Sequence, residues 1–311
     1  MSVGRLPEAK STIPPKPSAA SAESGEVAGP APAGGPEEVF GKLPRRSRVL
    51  RPSRLWGIRQ DVPRPARRAL IAIGVITPLL AWWALTASQV VDPVFLPSPL
   101  DVLRAGQELI ASGELVADAL ATLRRVALGF GLAIIVSVPL GLLIGSFRAG
   151  EALFEPLLAL LRYLPASAFI PLLLIWLGIG EPSKVGLLFI GTVFFNTLMT
   201  ADVVRLVPRE LIQVSYTLGA NRREVLRKVI FPHALPGMID AMRVNAAAAW
   251  NFVVVAELVA STSGLGYRIV RSQRFLQTGK IFAVLIVIGL IGLALDLSFR
   301  RLRDSVAGWA A

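Results

Sequence analysis

The sequence predicts an all-α, polytopic membrane protein with about six transmembrane helices, and three observations carry that expectation. The chain has 311 residues and is 53% hydrophobic, a richer apolar content than a soluble domain carries. The apolar residues gather into six blocks whose lengths match or approach the roughly 17–25 residues a helix needs to cross a bilayer core. The blocks are continuously apolar, whereas barrel strands alternate polar and apolar, and a helix satisfies its own backbone in lipid.

In order, the blocks are Ala69–Ser88, with Trp82 and Trp83 near its far end, Val126–Phe147, Leu164–Gly180, Val185–Ala201, Val244–Ala260 and Ile281–Leu295. The third is short, but the Leu157–Leu161 run before it extends the apolar stretch. The fifth holds one charge, Glu257, and the sixth continues past Asp296 to Phe299. Pro139, Pro165 and Pro171 fall inside or at the edge of spans, where kinks are expected. Between the first two spans, Phe95-Leu96-Pro97-Ser98-Pro99 reads as a rigid extended stretch. Ser98 precedes a helix over Leu100–Ile110, Gly113 breaks it, and a second helical stretch from Glu114 leads into the second span.

The net charge is +12, and its distribution points to lipid rather than nucleic acid. Ten Lys or Arg residues lie between Lys42 and Arg68, directly before the first apolar block. An anionic membrane face holds such a segment at about 1 kcal/mol per basic residue. Basic residues in short loops face the cytoplasm. This puts residues 1–68, the loop 148–156, the loop 202–243 and the C-terminus inside, so both termini are expected to be cytoplasmic. The outer loop 261–280 runs against the rule with four basic residues.

Residues 1–60 are expected to form a disordered, basic cytoplasmic extension, and residues 61–311 a transmembrane domain with a cytoplasmic loop at 202–240. Residues 1–40 show no apolar signal-peptide core. They are rich in Ala, Pro, Gly, Ser and Glu and hold seven prolines. The chain has no Cys and a single histidine, His233, so the sequence offers no thiol chemistry and no His-rich or Cys-ligated metal site. His233 itself reads as an ordinary solvated side chain. No GxxxxGK[ST] phosphate loop is present, so this chain is not expected to bind ATP itself.

The most informative stretch is Pro208–Pro236. Leu211, Val214 and Leu218 share a face of a short helix, which Gly219 ends. Asn221 and Glu224 form a capping-box start for a second helix. Val225, Leu226, Val229 and Ile230 make the apolar side of that helix, and Arg222, Arg223, Arg227 and Lys228 its polar side. Pro232 is expected to end it and Pro236 to begin the next span. Two capped amphipathic helices joined at a glycine suit a rigid docking surface for a soluble partner better than a passive loop.

The stretch Gln213-Val214-Ser215-Tyr216-Thr217-Leu218-Gly219, followed after nine residues by Val229-Ile230-Phe231-Pro232, resembles the EAA motif of binding-protein-dependent ABC importer permeases. Gly219, Pro232 and the spacing match. The Glu-Ala-Ala triplet of the family is replaced by Gln213, Val214 and Ser215, and Val229 and Phe231 replace the usual Ile and Leu. The segments 95–99 and 178–184, Ala256-Glu257-Leu258 and Gly264-Leu265-Gly266-Tyr267 are similar to the nitrate/sulfonate/taurine branch, and the resemblance covers residues 69–308.

The resemblance implies a type I ABC importer permease bundle in the bacterial inner membrane, importing a small solute such as nitrate, a sulfonate or taurine. It implies as partners a soluble ABC ATPase dimer that binds the ATP, a periplasmic or lipid-anchored substrate-binding protein, and a second permease copy in a homodimer. It places the coupling to the ATPase on Gln213, Ser215, Leu218, Gly219, Ala220, Arg222, Arg223, Val229, Phe231 and Pro232.

Polar residues inside spans mark a path or a packing contact. Glu257 reads either as hydrogen-bonded in the bundle interior or as lining the path. Asn196, Asn245 and Asn251 are candidates for the path. Asn245 and Asn251 are not on one helix face, and one of them is expected in an interhelical hydrogen bond. Arg162 and Arg243 are placed near cytoplasmic ends, where their side chains snorkel. The alternative reading is an ATP-independent secondary transporter or channel, which would carry inverted repeats and paired ionisable groups at mid-membrane. An intramembrane enzyme built on Ser137 or Ser167 would have no histidine base in any span.

Overall fold

A computed structural model describes residues 62–259 and 261–308. The chain divides into Met1–Ala66 and Arg67–Ala311. Of the first unit only residues 62–66 are described, so the expected extension 1–60 lies outside the described residues.

The described residues form helices joined by turns and short loops, with no strand among them. In order they form α1 (Arg64–Ala87), α2 (Pro99–Ala111), α3 (Glu114–Ser146), α4 (Arg148–Leu161), a 3-10 turn (Ala166–Phe169), α5 (Ile170–Leu177), α6 (Glu181–Arg205) and α7 (Arg209–Thr217). Then come α8 (Arg222–Glu224), a π-helical segment (Val225–Ile230), α9 (Phe231–Val259), α10 (Leu265–Arg274) and α11 (Thr278–Val306). Among the described residues five helices are long and apolar enough to cross a membrane: α1, α3, α6, the continuous stretch Arg222–Val259, and α11.

The third expected span departs from the sequence reading. It is not one helix over Leu164–Gly180 but a pair, Arg148–Leu161 and Ala166–Leu177, bent by 82°. Leu164 precedes Pro165, which steers it away from helical dihedrals, and Pro165 itself is extended, at φ −61° and ψ 118°. Pro171 lies in the first turn of α5, where its missing N–H costs nothing.

The core is the pair α3 and α6, which run parallel in a fixed register. Gly129 of α3 meets Leu188 of α6, Gly141 meets Thr200, and Gly145 meets Val204. A Cβ on Gly141 would lie 2.6 Å from the Thr200 Cβ, and one on Gly145 2.6 Å from the Val204 Cβ. Small residues let two backbones approach this closely in a membrane, where packing rather than hydrophobicity drives helix association. α9 lies across this pair in the opposite direction: Gly237 meets Val203 near one end, and Phe252 meets Gly191 nearer the other. Trp250, whose Nε1 donates to the Ile288 carbonyl at 3.2 Å, fixes α11 to α9.

α1 buries no residue. Its tie to the rest is Trp82, which donates from Nε1 to the Pro97 carbonyl at 3.1 Å and stacks on Phe282 with ring centres 5.7 Å apart. A helix apolar all round and bare of packing suits a lipid surface. The α2 start matches its expectation: the Ser98 hydroxyl accepts from the Asp101 amide at 3.2 Å, and Gly113, at φ +74°, turns the chain into α3.

Candidate functional site

At one end of the bundle the chain between α6 and α9 folds into a compact helical corner. Gly219 sits at φ +84°, a left-handed conformation that glycine adopts freely. Its amide donates to the Tyr216 carbonyl at 3.0 Å, and the next amide, Ala220, donates to the Ser215 carbonyl at 3.0 Å, closing α7 in the manner of a glycine C-cap. Asn221 Oδ1 then accepts from the amides of Arg223 and Glu224, and its own amide donates to Glu224 Oε2 at 3.0 Å. The expected capping box is therefore present.

The stop at Pro232 is not. The helix runs on through Pro232 and Pro236 into α9. The π-helical turn over Val225–Ile230 explains this. Its wider winding receives a ring that would otherwise clash with the carbonyl four residues back.

The corner is anchored from inside. Ile212, Ala220, Leu226 and Val229 pack on a cluster of buried Val204, Val207, Val225, Ile230, Ala234 and Met238. Outside, Leu211, Val214, Tyr216 and Leu218 stay exposed, Leu218 at 81%. Gln213, Gly219, Arg222, Arg223 and Phe231 are exposed as well, while Ser215, Ala220, Val229 and Pro232 are half-buried. The Ser215 hydroxyl donates to the Leu211 carbonyl at 2.7 Å. A cleft of about 440 Å³, lined by Ser146, Arg148, Glu151, Arg205, Arg209 and Ile230 among others, lies beside the corner. Arg205 bridges to Glu155, to Asp202 at 3.0 Å and to Glu151 at 3.5 Å, tying α6 to α4.

The opposite end is held by a buried ionic network that the sequence reading did not assemble. Arg125 of α3 donates to Glu257 of α9 at 2.6 Å, to both carboxylate oxygens of Glu181 at the start of α6 at 2.7 and 2.6 Å, and to the Ser263 carbonyl and hydroxyl at 2.8 Å. Thr122 and the Gly266 amide also donate to Glu257, whose side chain is 0% exposed.

Beside it, Arg268 of α10 donates to Asp118 at 2.7 Å and to Glu114 at 2.5 Å. Burial opposes the charge on Arg268, but these two bonds more than offset it and hold its pKa above the ordinary guanidinium value. Arg271 also reaches Glu114, and Lys280 reaches Glu108. Three of the four basic residues that run against the charge rule in 261–280 are thus bound to acidic side chains of α2 and α3. A lone glutamate in an apolar span was the available signal, since such a charge calls for a cation at the same depth on a neighbouring helix. Arg125 stands at the edge of the second apolar block.

The remaining intramembrane polar residues separate. Asn196 donates to the Ser137 hydroxyl at 2.5 Å, and Asn245 donates to Asn196 at 3.3 Å and to the Ala241 carbonyl at 3.0 Å. These three side chains lock α3, α6 and α9 together and are buried. Asn251 is exposed, beside a cleft of about 200 Å³ that Arg243, Trp250 and Asp296 also line. Arg243 bridges to Asp240 and Asp296 at 3.9 and 3.6 Å.

Arg162 sits at the break between α4 and the 3-10 turn, where Ala166 faces Gly191, partway along α6.

The model of the family described as "Binding-protein-dependent transport system inner membrane component" matches residues 137–308. A putative ABC transporter permease protein of Methanocaldococcus jannaschii is 38% identical over 73% of this chain and 87% of its own. The taurine transport system permease protein of Escherichia coli (strain K12) is 33% identical over 78% of this chain and 91% of its own. Among solved structures, an inward-facing conformation of the MetNI methionine ABC transporter superposes with a TM-score of 0.56 at 20% identity, covering 63% of this chain and 97% of that one; at that identity the likeness speaks for the fold. With the helical corner around Gly219 and the α3–α6–α9 bundle in place, the chain belongs to the permease family of binding-protein-dependent ABC importers, in its nitrate/sulfonate/taurine branch.

Proposed function

We propose that this chain is the pore-forming subunit of an ATP-driven importer for a small anion such as nitrate, a sulfonate or taurine. Two copies form the path, a separate ATPase pair binds ATP beneath them, and a substrate-binding protein delivers the solute from the other side. Both termini and the corner around Gly219 face the cytoplasm. Relatives named for aliphatic sulfonates and nitrate support the anion class, and the taurine permease a sulfonate head. The basic residues of the corner, Arg209, Arg222, Arg223, Arg227 and Lys228, support its cytoplasmic side.

The observation that carries the reading is the exposed apolar ridge of Leu211, Val214, Tyr216 and Leu218 on a capped helix pair. An apolar ridge in water is a docking surface in search of a partner. Seating it in an ATPase groove buries it, and Ile212 and Val225 beneath it pass any displacement to Val204 at the end of α6 and Met238 in α9. ATP-driven closure of the ATPase pair thereby shifts the access of the path.

The test is a mild-detergent pull-down of the tagged chain from native membranes, with partners identified by mass spectrometry. A co-purifying soluble protein with a phosphate loop is expected. Recovery of the chain alone, under conditions that keep other ABC complexes whole, would overturn the reading.

A further inference from the structure

The α4–α5 break places a half-buried arginine beside the uncharged middle of α6. Ala166 packs on Gly191, where an added Cβ would come within 3.2 Å of the Ala166 Cβ. At 1.5 Å per residue, Gly191 is about 15 Å from the α6 start at Glu181 and about 21 Å from its end at Arg205. It also lies near the centre of the uncharged stretch 185–201. Arg162 shares a cavity of about 240 Å³ with Gly191, lined further by Tyr163, Ser167, Phe194, Phe195 and Phe252.

A charge at this depth is costly unless it faces a partner or a polar cavity. The other basic side chains drawn into the bundle have carboxylate partners: Arg125 has Glu257 and Glu181, Lys184 has Glu181, and Arg243 has Asp240 and Asp296. Arg162 has no carboxylate within bridging distance among the described residues. Its contacts are the hydroxyl of Tyr163, to which it donates at 3.3 Å, and the Tyr163 ring, whose centre is 5.1 Å away. Both leave guanidinium donors open.

We propose that Arg162 and this cavity form an intramembrane binding site for a small organic anion, with a sulfonate as the type case. The choice of anion rests on the importer reading above. The guanidinium takes the anionic head, for which its planar fork of donors is suited, and the Ser167 hydroxyl adds a further donor. Phe194, Phe195 and Phe252 form an apolar wall that fits an organic body better than a hydrated inorganic ion. The volume exceeds that of several waters, each about 30 Å³. On this proposal the permease contributes anion selectivity of its own.

The test uses the chain with its co-purifying partners in lipid nanodiscs, without the binding protein, and radiolabelled taurine and butanesulfonate as probes. Saturable binding of at least one probe is expected. Arg162→Gln weakens it at least tenfold, Arg162→Lys keeps part of it, and unlabelled nitrate competes less well than unlabelled butanesulfonate. Wild-type affinity in Arg162→Gln, or no binding of either probe by the wild type, would overturn the site. So would dissociation of the permease pair by Arg162→Gln, which would assign the arginine to a contact between copies. The importer reading fails separately: a preparation that holds no ATPase yet binds through Arg162 refutes the importer and leaves the site standing.

Discussion

Substituting Arg125 by methionine tests whether the buried network holds the bundle together. In the wild type, Glu257 is 0% exposed and receives bonds from Arg125, Thr122 and the Gly266 amide. Arg125→Met leaves the two neutral donors but strips the charge partner, and removing one member of a buried pair costs about 3–5 kcal/mol. For a helical unit of this size, each kcal/mol shifts the melting temperature by roughly 2–4 °C, so a drop on the order of 6–20 °C is expected. Adding Glu257→Gln removes the orphaned charge, and the double variant should recover a large part of that loss. Intrinsic tryptophan fluorescence in nanodiscs reads the transition, because Trp250 is buried against α11. If Arg125→Met melts with the wild type, or if the second substitution adds its own loss without recovery, the claim that Glu257 is held as a paired charge is wrong.

Gly219→Val places a β-branched residue at φ +84°, a strain of about 1–2 kcal/mol, although no atom lies within 4 Å of the added Cβ. Uptake by reconstituted vesicles should fall sharply, and Gly219→Asn, which tolerates this conformation, should keep most of it. Gly141→Leu drives a side chain into Thr200 and the Thr197 carbonyl and should abolish a monodisperse peak on size exclusion, whereas Gly74→Leu, on bare α1 with nothing within 4 Å, should leave the peak unchanged. Deleting residues 1–40 should leave uptake unchanged, and loss of assembly in that truncation would make the segment a docking element.

Much of the fold was legible because lipid allows few solutions. A block such as Val126–Phe147 has to be helical, and the Asn221–Glu224 capping box and the Gly219 turn are local motifs that the sequence spells directly. What stayed hidden depends on contacts between distant segments. Arg125, at the edge of the second apolar block, is paired only when Glu257 and Glu181 arrive beside it from 132 and 56 positions away in the sequence. Pro165 predicts a kink but not an 82° bend, because composition does not distinguish a bent span from a straight one. The continuous helix through Pro232 was missed because a proline signals a stop in an ordinary α-helix, and the wider π-helical turn is not written in residue type.

The arrangement ranks the joints of the bundle by stiffness. The stretch Arg222–Val259 runs for 38 residues from the corner at one end, about 57 Å along a straight helix, to Glu257 in the ionic network at the other. Along the way Gly237, Asn245 and Trp250 seat it against α6 and α11. A push on the corner cannot slide this helix past α3 without breaking the bond of Arg125 to Glu257 or separating helices at glycine contacts with no slack, and both are costly. These ties lead us to expect α3, α6 and α9 to move as one body. α4 is tied to this body by the bridges of Arg205 to Glu151 and Glu155 and by Leu158 packed with Ile144, Leu198 and Ala201. The joint left to flex is the 82° bend between α4 and α5, where backbone bonding is interrupted near Pro165. Arg162 sits at that joint. A change in the bend would move its guanidinium relative to Phe194 and Phe252 on the rigid body, so a motion begun at the corner would reach the cavity without disturbing the core.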